Sequence, residues 1–124
     1  MRFENHIPIY LQIISLIKRD LVLGIKKPGD KLESVREYAI YLKVNPNTVQ
    51  KAYQEMERLN LVYTKRGIGR FIVEDDFLVE SLQDEMSTEL ISQCVGKMKE
   101  LGFSNESIIK NVKEVLDGGK AWLH

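Results

Sequence analysis

Apolar residues recur every three or four positions along the first sixty residues, and this spacing predicts three helices. The first predicted helix runs from Ile7 to Leu23, with Pro8 near its start and Gly24 as its stop signal. Its apolar stripe consists of Tyr10, Ile13, Ile14, Ile17 and Leu21. Residues 27–30 form a predicted turn that separates this helix from the next.

A short second helix is predicted to begin after Ser34, whose hydroxyl suits an N-cap. Its inward-facing residues are predicted to be Val35, Ala39 and Leu42. Residues 43–44 connect it to a third helix with very little intervening chain. Two helices joined by such a tight turn indicate a helix-turn-helix arrangement.

The third predicted helix is the most informative element of the chain. Asn45 can cap it, and Pro46 falls at the first helical position, where a missing N–H costs nothing. One face carries apolar residues, namely Val49, Ala52, Tyr53, Met56 and Leu59. The other face carries amides and cations, namely Asn47, Gln50, Lys51, Gln54 and Arg58, with Glu55 and Glu57 on the flanks. That polar face suits phosphates and base edges, but an ordinary amphipathic helix with a solvated side has the same pattern.

After Leu61 the apolar period changes to two, which predicts a β-hairpin with strands at residues 62–64 and 71–73. The connecting residues 65–70 are basic and rich in glycine. Three helices followed by such a hairpin make a winged helix, and the hairpin tip is its wing. The wing is expected to enter a groove beside the third helix.

Acidic residues 74–76 mark a boundary between a winged helix-turn-helix domain at 1–74 and a helical segment at 75–124. The segment is predicted to contain a helix of about seven turns that ends at Gly102, and a second helix capped by Ser104. One narrow apolar stripe follows the long helix through Leu78, Leu82, Met86, Leu90, Cys94, Met98 and Leu101. The shorter helix carries Ile108, Ile109, Val112, Val115 and Leu116. Two such helices have little core of their own, so we expect homodimerisation through this stripe, with Cys94 buried in it. The predicted fold class is therefore mainly α with a small β-hairpin.

Charge is distributed unevenly along the chain. The 124 residues have a net charge of zero, yet residues 1–73 hold 13 Lys and Arg against 7 Asp and Glu, whereas residues 74–124 hold 5 against 11. A basic first part suits contact with phosphate.

No apolar run approaches the ~18 residues of a membrane span, and no signal-peptide pattern is present, so we expect a cytoplasmic protein without membrane contact. The single cysteine and the two histidines do not have the spacing of metal ligands, so no bound metal is expected. No nucleophile–base pair or phosphate-binding loop is visible, so we expect neither a cofactor nor an enzymatic activity.

With its motifs in this order, the chain resembles the GntR family of bacterial transcription regulators. It is similar in particular to the YtrA-like subfamily, which joins a winged helix to a short two-helix dimerisation segment. The matching motifs cover residues 7–73 almost without a gap and lie at residues 28–32, 34–37, 44–49, 52–53 and 66–69. The remainder matches mainly in its length and in the break at residues 101–104.

The resemblance implies a DNA-binding role for specific positions. Arg36 is implied to contact the DNA backbone or a guanine, and Gly67 beside Arg66 lets the wing approach the minor groove. The first turn of the recognition helix is implied to enter the major groove through Asn45, Asn47, Thr48 and Gln50. Lys51 is expected to contact a phosphate, since an ammonium group is a point charge without a fork.

Three positions depart from the family pattern. Glu33 replaces a usual proline, a change that bears on how the chain approaches the second helix. Gln50 replaces a frequent arginine, so the base preference of other members does not carry over. Arg70 replaces a common threonine and is expected to add a phosphate contact. Trp122 has no assigned role, because packing and a free end are equally compatible with its position.

Two functional hypotheses follow. The first is a regulator that binds double-stranded operator DNA as a homodimer on an inverted repeat, with repression favoured over activation. The sequence leaves open whether this regulator senses a small-molecule effector. The second is a winged-helix module that docks proteins through its acidic helices and needs no DNA. The charge division and the basic wing favour the first hypothesis.

Overall fold

The computed structural model describes residues 2–119; Trp122 and His124 therefore lie outside the described residues. Helices and an antiparallel hairpin follow one another in the predicted order. Their bounds are α1 (Ile9–Val22), α2 (Val35–Leu42), α3 (Pro46–Arg58), β1 (Val62–Lys65), β2 (Gly69–Ile72), α4 (Leu78–Glu100) and α5 (Asn105–Leu116). The predicted mainly α fold class is confirmed.

Helix α1 contributes four apolar side chains to the core. Its buried residues are Ile13, Ile14, Ile17 and Leu21. It begins two residues later than predicted because Pro8 has the extended ψ of 134° and serves as the N-cap residue. Gly24 follows the helix with a φ of +76°, a left-handed conformation that glycine adopts without a steric penalty.

Helix α2 begins with a complete capping box. The Ser34 hydroxyl accepts a hydrogen bond from the Glu37 backbone N–H, and the Glu37 carboxylate accepts one from the Ser34 backbone N–H. Lys43 ends the helix in a left-handed conformation, with a φ of 59°. Ala39 and Leu42 are buried as predicted, whereas Val35 is only partly buried and Tyr38, which the pattern did not single out, is a core residue.

Helix α3 packs against α1, α2 and β1 and is the centre of the winged helix. The side-chain oxygen of Asn45 accepts a hydrogen bond of 2.8 Å from the Asn47 N–H, and Pro46 is the first helical residue, as predicted. The buried residues are Val49, Ala52, Tyr53 and Met56. Leu59, which the spacing placed on the same apolar face, follows the last helical residue and is 43% exposed.

The hairpin pairs Val62 with Ile72 and Lys65 with Gly69, and both residues of the first pair are buried. Strand β2 begins two residues earlier than predicted and excludes Val73. The segment before α2 covers the other edge of β2: the Leu32 N–H donates to the Arg70 carbonyl at 2.9 Å. Strand β2 therefore has hydrogen-bonded neighbours on both of its edges.

The structure separates into two compact units, one ending at Gln83 and the other beginning at Asp84. Leu78 and Leu82 are buried in the core of the first unit. This corrects the predicted dimerisation stripe, because both side chains are already covered by their own chain. The first unit therefore extends beyond the predicted domain boundary at residue 74.

The second unit has little core of its own. Ser104 caps α5 by accepting a hydrogen bond from the Ser107 N–H, as predicted for the start of this helix. Among its described residues only Ile108 is buried. Cys94, expected to be buried, is exposed in the single chain.

Candidate nucleic-acid interface

Arg36 lies in the first turn of α2 and is exposed. The adjacent Glu37 carboxylate is engaged in the capping box and does not pair with it. Within the described residues Arg36 forms no ion pair, so its five N–H donors are available to an external acceptor. A guanidinium in this state can bind a phosphate or the O6 and N7 atoms of guanine.

The first turn of α3 presents a short series of uncharged polar groups. Asn45 and Asn47 are exposed, while Thr48 and Gln50 are partly exposed. The Asn45 carbonyl oxygen caps the helix, which leaves its NH₂ group for other partners. Within residues 2–119, no hydrogen bond engages the side chains of Asn47, Thr48 or Gln50. Amides and hydroxyls held at a helix start can donate to and accept from base edges.

Lys51 lies one turn further along α3 and is exposed. Its ammonium nitrogen is 4.3 Å from the centroid of the Tyr10 ring on α1. This cation–π contact steadies the ammonium group without neutralising it. Tyr10 is itself partly buried and packs against the core, as expected for a packing residue.

The tip of the wing is a tight turn between β1 and β2. The Ile68 N–H donates to the Lys65 carbonyl at 3.0 Å, and Gly67 has a φ of +78° with open space where a Cβ would lie. Arg66 is exposed, and the described part of the chain offers it no ion-pair partner. The tip therefore presents a free guanidinium beside an unobstructed backbone.

Arg70 differs from the other predicted contact residues. Its Nε donates to Glu57 Oε1 at 2.6 Å, and its side chain is only 22% exposed. Hydrogen bonds from Arg70 and then from Thr64 hold the pKa of the Glu57 carboxyl below its ordinary value. The sequence pattern predicted neither a role for Thr64 nor the hydrogen bonds that Glu57 accepts from the hairpin. No local spacing links α3 to the hairpin.

The start of α2 and the wing line one open depression of about 640 Å³. Tyr53 of α3 contributes to its wall, and its hydroxyl donates to the Glu33 carbonyl at 2.9 Å. Burial raises the pKa of Tyr53 well above its ordinary value, so the hydroxyl keeps its proton and remains a donor. This bond ties α3 to the loop that leads into Arg36.

Together these groups can bind an extended polyanion with base-specific contacts at its centre. Arg36, Lys51 and Arg66 supply exposed cations, and the start of α3 supplies polar groups. Within residues 2–119, no group of His, Cys, Asp or Glu is arranged to hold a metal ion, and no helix is long and apolar enough to cross a membrane.

Comparison with known families gives an independent result. Residues 9–72 match the model of the "Bacterial regulatory proteins, gntR family". The matched range contains α1, the helix-turn-helix and the whole hairpin. It therefore contains every residue of the candidate interface described above.

Relatives align along nearly the whole chain. The HTH-type transcriptional regulator YhcF of Bacillus subtilis (strain 168) is 48% identical over 118 residues, which are 95% of this chain and 98% of the relative. The HTH-type transcriptional repressor YtrA of the same organism is 42% identical over 118 residues, covering 91% of this chain and 90% of the relative. Both matches are long enough to include α4 and most of α5.

A solved structure shares the fold. The GntR family transcriptional regulator from Listeria monocytogenes superposes with a TM-score of 0.83 at 42% identity, covering 91% of this chain and 99% of that chain. The chain therefore belongs to the gntR family of bacterial regulatory proteins and is a DNA-binding transcriptional regulator of the YtrA-like kind.

Proposed function

We propose that this regulator binds an inverted-repeat operator as a homodimer and represses transcription by occupying the promoter. One observation carries the proposal. Arg36, the first turn of α3 and the tip of the wing belong to one compact unit, and their exposed cations and amides are left unengaged by the rest of it. Surfaces of this composition bind phosphates for affinity and base edges for sequence preference.

The second unit supports the dimer. Large apolar side chains on α4 and α5 stay in contact with water in the single chain, among them Leu90 (68% exposed), Ile109 (61%) and Leu116 (78%). Each such side chain gains about 1.5–3 kcal/mol when it is fully buried. A second copy of the same helices is the partner that covers these residues in a closed, symmetric arrangement.

Two-fold symmetry sets the form of the operator. Two copies of α3 would enter major grooves on one side of the duplex, with half-sites separated by one helical turn of about 34 Å or by a multiple of it. Such a complex excludes polymerase from an overlapping promoter. The name of the relative YtrA as a transcriptional repressor supports this direction of control.

The roles of individual residues are proposed as follows. Arg36, Lys51 and Arg66 supply affinity by displacing counterions from phosphates, and Arg36 can also read a guanine. Sequence preference comes from the polar start of α3, formed by Asn45, Asn47, Thr48 and Gln50. Gly67 lets the wing backbone approach the minor groove.

Titration of labelled operator DNA with wild-type protein and with Arg36→Ala tests this assignment. We expect the variant to bind more weakly by on the order of 1–3 kcal/mol, roughly a fivefold to 150-fold rise in Kd. Arg36→Lys should recover only part of the loss, because lysine keeps the charge without the bidentate fork.

Arg19→Ala is the matched control. Arg19 is also exposed, but it lies nine residues from Tyr10 on α1, about half a turn around the helix from the side that meets α3. We expect this variant to bind operator as the wild type does. Equal binding by the wild type and Arg36→Ala would contradict the assignment of α2 to the interface.

A further inference from the structure

One carboxylate of the recognition helix holds both strands of the wing. Glu57 Oε1 on α3 accepts a hydrogen bond of 2.6 Å from Arg70 Nε on β2 and one of 2.8 Å from Thr64 Oγ1 on β1. Thr64 and Arg70 are directly paired across the hairpin. The three residues, called the α3–wing cluster below, therefore cross-link three elements at one point.

The surroundings of Arg70 keep its guanidinium inside this cluster. Its central carbon is 5.4 Å from the centroid of the buried Tyr53 ring, and its side chain is 22% exposed. The Arg70 carbonyl also accepts the hydrogen bond from Leu32 in the segment before α2. Arg70 thus contacts α3 through its side chain and the approach to α2 through its backbone, whereas Arg66 at the tip extends to solvent.

We infer that the ion pair between Glu57 and Arg70 sets the position of the wing relative to the recognition helix, and that Arg70 is a positioning residue rather than a phosphate contact. The inference rests on the proposed function, because the wing must reach DNA for its position to matter. It replaces the phosphate role expected for Arg70 from the sequence. Helix α3 and the wing can contact DNA at the same time only if the distance between them is fixed.

The two roles of Arg70 predict opposite signs for one substitution. If Arg70 contacted a phosphate, the Glu57 carboxylate would compete with the DNA for it, and removing that carboxylate would strengthen binding. If the pair positions the wing, removing Glu57 weakens binding although it removes a negative charge near a polyanion. The sign of the Glu57→Ala effect is therefore decisive.

The experiment is a double-mutant cycle on operator affinity with Glu57→Ala, Arg70→Ala and the double variant. We expect each single variant to raise the Kd about tenfold and the double variant to raise it no further, since both remove the same interaction. Glu55→Ala is the charge-matched control: it removes one carboxylate from the same helix, where Glu55 pairs with Arg58 of α3 and not with the wing. We expect that control to stay within about twofold of the wild type.

A second measurement requires no DNA. Amide hydrogen exchange of residues 62–72 reports how firmly the hairpin is held. Glu57→Ala, Arg70→Ala and the milder Thr64→Val should all speed exchange there while leaving exchange in α1 unchanged. Thr64→Val removes one hydrogen bond at nearly constant shape, so it keeps the test available if a larger change unfolds the protein.

Each outcome has a definite meaning. The inference is supported if Glu57→Ala binds operator more weakly, if the effects of Glu57→Ala and Arg70→Ala are not additive, and if the hairpin loses protection from hydrogen exchange. Tighter or unchanged binding by Glu57→Ala, additive effects, or unaltered exchange in the hairpin overturn it. Failure of the wild type to bind any operator refutes the proposed function instead, and the exchange measurement then still decides whether the cluster fixes the wing.

Discussion

Tyr53→Phe is a substitution that removes one oxygen atom and tests how the recognition helix α3 is held to the loop before α2. The Tyr53 side chain is 1% exposed, and its hydroxyl donates to the Glu33 carbonyl, 20 residues earlier in the chain. Phenylalanine fills the same space, so no cavity forms. The expected effect therefore comes from the lost hydrogen bond alone.

The magnitude follows from the environment of that bond. A buried acceptor deprived of its donor costs about 1–3 kcal/mol. Glu33 is an exposed residue and the bond is only partly buried, so water replaces part of the lost donor and the lower end applies. With a denaturant slope of about 2 kcal/mol per molar urea, a loss of about 1 kcal/mol lowers the midpoint by about 0.5 M.

Urea unfolding at one fixed protein concentration measures this change, because dimerisation makes apparent stability depend on concentration. Tyr63→Phe is the matched control: Tyr63 stacks on Phe71, and its hydroxyl has no hydrogen-bond partner among the described residues. We expect the control to unfold as the wild type does. Equal midpoints for Tyr53→Phe and wild type, with an unchanged slope, would refute the role given to this bond.

Three further predictions concern the wing, the dimer and pH. Gly69→Ala should weaken operator binding, because Gly69 has a φ of +147°, a backbone conformation that residues with a side chain rarely adopt, and strain of about 1–3 kcal/mol is expected. Gly96→Ala in α4, where a Cβ meets open space, should leave binding unchanged in the same titration. Leu90→Asp should shift the protein from dimer to monomer in sedimentation velocity, since it places a charge in the proposed interface, and a variant that remains fully dimeric contradicts that interface. The depressed pKa of Glu57 means that its contribution to stability is present above the unfolded-state pKa and is lost as pH falls through the folded-state value. The stability difference between wild type and Glu57→Gln should therefore shrink as the pH falls below the ordinary pKa of a glutamate, about 4.3, and a difference that stays constant on acidification would contradict the pairing.

Local chemistry made much of the winged helix predictable from sequence. Asn45 and Pro46 define the start of α3 by side-chain capping and a fixed φ, and both act within two residues of their own position. Ser34 defines the start of α2 in the same way. The hairpin was predictable because its alternation and its basic, glycine-containing turn are also local signals.

Long-range contacts explain why the structure differs from the sequence prediction at three residues, Arg70, Leu78 and Leu82. Glu57 and Arg70 are 13 residues apart and meet only because the hairpin folds back on α3, so the sequence presents Arg70 as a free cation. Leu78 and Leu82 continue an apolar stripe in the sequence, yet they pack into the first unit. A helical period indicates which residues share a face but not which partner covers that face.

Operator recognition is tested most directly by selection of bound duplexes from random DNA with the purified wild-type protein, followed by sequencing and motif fitting. A homodimer with one recognition helix per subunit should select a two-fold symmetric motif whose half-sites are separated by one helical turn or a multiple of it. A single asymmetric half-site would contradict the homodimeric mode of binding. No enriched motif at moderate salt, from protein shown to be folded by circular dichroism, would contradict sequence-specific operator binding itself.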